Sequence, residues 1–153
     1  RLIPDFIRAV TKSKKLNLRY PNAVRPWQHV LGLVNGYLII MAGLISNEPE
    51  KYSRPWNFGP FSKDSFTVRY VFELMSKEWK RPHLNYMNNP LPEASHLMLD
   101  SSDARNILGW ITPWDIDRII KETIIWYRDY YDSRISALDL TLGQIHLWRE
   151  ELK

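Results

Sequence analysis

Residues 21–45, PNAVRPWQHVLGLVNGYLIIMAGLI, carry the reading on which the fold turns. Pro21-Asn22 marks a turn, and Arg25-Pro26-Trp27-Gln28-His29-Val30 reads as an extended run. The apolar residues that follow predict a long helix from about Leu31 to Ile45. An extended segment feeding directly into a helix is the unit from which α/β folds are built. The same alternation continues on both sides. Upstream, Leu2, Ile3, Phe6, Ile7 and Val10 recur at helical spacing, with Lys12, Lys14 and Lys15 at the end where cations suit the helix dipole. Leu16-Asn17-Leu18-Arg19-Tyr20 then alternates like a strand.

Downstream, Trp56-Asn57-Phe58-Gly59-Pro60 reads as a short strand closed by a Gly-Pro break. Phe66, Val68, Val71, Phe72, Met75 and Trp79 predict a helix, with Thr67 or Ser65 as its cap. Leu84 to Met87 reads as another strand and Asn88 to Glu93 as a loop. Ser102 to Leu108 predicts a small helix stopped by Gly109. Pro113 and Asp115 open a helix whose face uses Ile116, Ile119, Ile120, Ile124 and Tyr127. Leu138, Leu142, Ile145 and Leu147 predict one more helix in the tail. The seven tryptophans fall mostly on apolar faces and read as core.

A chain of 153 residues with 44% hydrophobic residues suits one domain with a true core. Cysteine is absent, which excludes disulfides, thiolate metal sites and a cysteine nucleophile and fits a reducing cytoplasm. The net charge of +4 comes from scattered basic residues rather than a dense Lys/Arg block, so no nucleic-acid surface is expected. The longest apolar stretch is broken by Asn35, Gly36 and Gly43, so no membrane span is expected either. There is no G-x-G-x-x-G turn, no P-loop and no G-x-S-x-G elbow. His29, His83, His96 and His146 lack metal-ligand spacing, so no metal site is expected, and no complete catalytic constellation is present. Arg25 stands out, since a guanidinium beside an aromatic ring after a turn suits a phosphate or diphosphate. From pattern alone, a surface salt bridge or packing on Trp27 is the favoured reading. Arg1, at the first helix entrance, is a weaker anion candidate.

Several segments read in order carry a resemblance. They are Arg1 to Ala9, Pro21 to Val30, Trp56 to Pro60, Glu93-Ala94 with Leu99-Asp100, and Leu108-Gly109-Trp110. Together they resemble the C-terminal part of the CDP-glucose 4,6-dehydratases, in the NAD-dependent epimerase/dehydratase branch of the extended short-chain dehydrogenase/reductase family. Arg-Pro-Trp-Gln-His-Val is the most specific piece, and Leu-Gly-Trp is widespread in the extended family.

The resemblance implies a Rossmann-type α/β fold of which residues 1–153 form the C-terminal nucleotide-sugar-binding portion. Its strand-helix segments would complete the parallel sheet of an N-terminal NAD-binding domain absent from this chain. The implied reaction oxidises C4 of the hexose with NAD, eliminates water across C5–C6 and returns the hydride to C6. It yields CDP-4-keto-6-deoxyglucose for deoxysugars of polysaccharides. The glycine-rich turn and Tyr-x-x-x-Lys pair of such enzymes lie outside this chain. The chain alone is thus expected to hold no catalytic residue, bind no NAD and be inactive.

On the same ground Arg25 is implied to reach the diphosphate of CDP-glucose, which outweighs the packing reading. Arg1 and Leu2 would lie beside the phosphates, and Leu18 and Arg19 beside the base. A second phosphate-binding arginine common among relatives is missing from Asn89 to Glu93, leaving Glu93 or His96 to line the site in another role. The full-length protein is expected to be a homo-oligomer. Another nucleotide-sugar epimerase or dehydratase, or a non-catalytic binding module, remains an alternative. Without its first half, the chain is expected to expose large apolar patches.

Overall fold

The computed structural model describes residues 2–61, 65–86 and 93–152. Arg1 and residues 87–92, including Met87 of the predicted strand and most of the predicted loop, lie outside the described residues. The helices are α1 (Leu2–Thr11), α2 (Val30–Leu44), α3 (Val68–Glu78), α4 (Ser102–Leu108), α5 (Ile116–Asp132) and α6 (Ala137–Glu151). The strands are β1 (Leu16–Leu18), β2 (Val24–Arg25), β3 (Phe66–Thr67) and β4 (Leu84–Tyr86).

Local chemistry sets the boundaries. Thr67 Oγ1 accepts from the Tyr70 amide at 3.1 Å and starts α3. Asp115 Oδ1 accepts from the Arg118 amide at 2.9 Å and starts α5. Ser136 does the same for α6 through the Asp139 amide at 3.0 Å. Gly109 ends α4 in the left-handed region at φ 64, where it carries no Cβ penalty. Ser13, at φ 50, turns the chain out of α1, so Lys14 and Lys15 follow the helix rather than close it.

Two short sheets tie the helices together. β1 and β4 pair in parallel, with Asn17 opposite Asn85. β2 and β3 pair antiparallel, with Arg25 opposite Phe66. On its other edge, Val24 donates its amide to the Ser95 carbonyl at 2.9 Å and accepts from the Leu97 amide at 3.2 Å. The extended run read from Arg25 to Val30 is thus strand only at its start. Trp56 to Pro60 pairs with no backbone among the described residues and so forms no strand; side chains take two of its carbonyls, Gln28 Nε2 donating to Phe58 at 3.1 Å and Arg105 Nη2 to Gly59 at 2.6 Å.

The main core joins α1, β1, α3 and α5. Phe6, Leu16, Val71, Phe72, Met75, Ile120 and Ile124 are all almost completely buried there. A second cluster gathers Phe58, Ala104 and Trp110 against the apolar side chains of α2.

The buried residues of α2 are Gly32, Gly36 and Gly43. Trp110 Nε1 donates to the Gly32 carbonyl at 2.8 Å, and the Phe58 and Tyr52 rings lie where Cβ atoms on Gly36 and Gly43 would stand. The bulky side chains Val34, Tyr37, Leu38 and Met41 consequently face outward, with Met41 61% exposed. Apolar residues encircle α2, a pattern ordinarily seen in a helix covered on all sides. Here one face is open.

Candidate functional site

A groove of about 720 Å³ opens between the start of α1, β1 and the turn around β2. Leu2 and Asp5 supply one wall, Asn17, Leu18, Arg19 and Tyr20 another, and Arg25, Pro26, Trp27 and Glu93 the third. The fold accounts for each placement. Leu18 is buried by alternation along β1, anchoring the strand while Arg19 emerges beyond its end. Trp27 is pinned by its indole Nε1, which donates to the Phe66 carbonyl at 2.9 Å.

Arg25 is the best-held charge in the groove. Its Nη1 donates to the Val24 carbonyl at 2.7 Å, and its Nη2 is paired with the Glu93 carboxylate. Asp5 pairs instead with Arg8 on its own helix. Arg19 forms no ion pair among the described residues. The site therefore offers one arginine held at a fixed angle and one reaching freely, above a partly apolar floor. Such a floor suits a flat ring, and such arginines suit a phosphorylated ligand.

Of the residues singled out in the sequence, Leu2, Leu18, Arg19, Arg25 and Glu93 thus converge on one groove. His96 does not line it, but sits exposed beside β2, bridging Val24 from the far edge. Arg1 lies outside the described residues. Asp5, Asn17, Tyr20, Trp27 and Val68 also line the groove and were not singled out for it. The outward position of Asn17 within Leu-Asn-Leu was the signal available for it. Asn17 is fixed by accepting from Asn85 Nδ2 at 2.8 Å across the parallel pair.

His29, which does not line the groove, has a structural position at the start of α2. It is buried, caps α2 by accepting from the Leu31 amide through Nδ1 at 3.3 Å, and meets the rings of Trp114 and Trp148. Burial disfavours its charged form and pushes its pKa down to about 4. Neutral imidazole is therefore the form that packs at neutral pH. Among the described residues no group of three or more acidic or histidine side chains could hold a metal ion. No helix among them is long and apolar enough to cross a membrane.

The chain is 35% identical over 131 residues to CDP-glucose 4,6-dehydratase from Salmonella typhimurium, a match covering 84% of this chain and 36% of that protein. Its structure matches 42% of a crystal structure of dTDP-glucose 4,6-dehydratase from Bacillus anthracis in complex with NAD, over 87% of this chain, at a TM-score of 0.62 and 18% identity. The second match shows an α/β fold shared with part of that dehydratase chain. No family model matches the chain. The chain spans about a third of the length of the curated relative it matches.

Proposed function

We propose that this chain, a relative of the sugar-nucleotide 4,6-dehydratases, is the nucleotide-sugar-binding portion of an enzyme that converts CDP-glucose to CDP-4-keto-6-deoxyglucose. The observation that carries the reading is the convergence of Arg25, Arg19, Leu18, Leu2 and Glu93 on one groove. Arg25 takes the diphosphate, because its guanidinium is fixed on the Val24 carbonyl through Nη1 and already holds an anionic group through Nη2. Leu2 would lie beside the phosphates, and Leu18 and Arg19 beside the base. Glu93 borders the phosphate end, and His96 supports β2 from outside.

On this reading NAD is not held at the start of α2. The segment leading into α2 carries Pro26 and the Trp27 ring, not glycines that let backbone approach a pyrophosphate, and His29 caps the helix. NAD would be held by the other half of a full-length, cytoplasmic, homo-oligomeric protein. That half would also cover the open face of α2, and the chain alone would be inactive. Residues 1–153 on this reading are one portion of a two-part fold.

Calorimetric titration of the full-length polypeptide with CDP, UDP and dTDP tests the proposal. Preference for CDP supports it. Equal binding of all three would point to another nucleotide-sugar epimerase or dehydratase, and binding of none would remove the groove as a nucleotide site.

A further inference from the structure

The principal cation of the groove already has an anionic partner. Arg25 and Glu93 are 68 residues apart in sequence, yet the Glu93 carboxylate sits on the guanidinium. The Arg25 side chain is 18% exposed and the Glu93 side chain 48% exposed. The arginine is thus the anchored member, fastened to Val24 as well, while the carboxylate can turn into water without opening the core. Carboxylate and phosphate oxygens use the same fork of guanidinium donors. Asp5, the other carboxylate of the groove, is engaged with Arg8 and does not share this role.

We propose that Glu93 sets the affinity of the groove by competing with the ligand's diphosphate for Arg25: it holds the anion position when the groove is empty and is displaced when a diphosphate enters. This rests on reading the groove as a nucleotide-diphosphate site. The competition makes entry an exchange of one anion for another, so Arg25 is never left without a counter-charge. It also raises the threshold for weak anions. A singly charged carboxylate ligand gains nothing by replacing Glu93, whereas a diphosphate brings more charge and more acceptor oxygens to the same donors.

The test is a double-mutant cycle on CDP affinity, read by calorimetry on the full-length polypeptide. Glu93→Gln should tighten CDP binding about two- to fivefold, the range of a partly exposed ion pair. The gain should vanish in an Arg25→Ala background, or in Arg25→Gln should the alanine variant fail to fold. Weaker or unaltered binding in Glu93→Gln would overturn the proposal, making Glu93 a direct ligand contact or a bystander while the groove reading stands. Tightening that persists without Arg25 would also overturn it, since a general field effect needs no partner. Absence of CDP, UDP and dTDP binding in the wild type would refute the groove reading and this proposal together.

Discussion

Arg25 and His29 lie four positions apart and do opposite things with charge. Arg25 keeps its cation at a groove wall, so Arg25→Ala should weaken CDP binding about tenfold to a hundredfold with the melting curve preserved. An unaltered affinity by titration would remove Arg25 from the site. His29 is packed as the neutral ring, with its pKa lowered from 6.5 to about 4. Between these values the unfolded chain binds a proton that the folded chain refuses. Stability is therefore full above pH 6.5, falls as the pH drops through that window, and levels off below about 4. The loss from this group is about 3 kcal/mol. Urea midpoints from pH 7 to 4 should decline in the wild type and much less in His29→Asn, which keeps a capping acceptor; parallel declines would exclude His29 as the cause.

Among elements, α2 shows most sharply how packing overrides pattern. A Cβ on Gly36 would stand 2.5 Å from Phe58 Cε1, whereas one on Gly143 in α6 would meet nothing within 4 Å. Alanine at either site gains up to ~1 kcal/mol of helix propensity, and overpacking costs ~1–3 kcal/mol. Thermal melts should show Gly36→Ala destabilised by about 1–2 kcal/mol and Gly143→Ala stabilised by about 0.5–1 kcal/mol. Equal effects would mean that Phe58 yields freely. The helices were legible because their signals are local: Thr67, Asp115 and Gly109 act within a few residues of where they stand. Trp56 to Pro60, read as a strand, has no backbone partner among the described residues, and no local pattern tells whether a partner is present; Gln28 and Arg105, far away in sequence, take two of its carbonyls instead. Likewise a salt bridge was one reading of Arg25, but Glu93 as its partner was not legible, since no local pattern reports a contact across 68 residues. The inward turn of the α2 glycines was equally hidden, because apolar residues on every side give the helix no preferred face.

For the whole molecule, the open face of α2 is the largest departure from a self-contained fold. Leu38 and Met41 are 57% and 61% exposed. Light scattering of the isolated chain should show self-association, and Leu38→Glu with Met41→Lys should suppress it together with binding of a hydrophobic dye. A clean monomer before substitution would show that this face tolerates water. The groove belongs to the same scale, because its walls come from opposite ends of a long stretch of chain. Leu2, Arg25 and Glu93 meet there only once β1 has paired with β4 and β2 with the residues around Ser95. A molecule seated among them would act as a non-covalent staple, lending the helix at Leu2 and the segment at Glu93 a shared fate. At a hundred times its dissociation constant it would add about 2.7 kcal/mol to folding. Amides of α1, β1 and β4 should then slow their hydrogen exchange in concert, although most of them never touch the ligand.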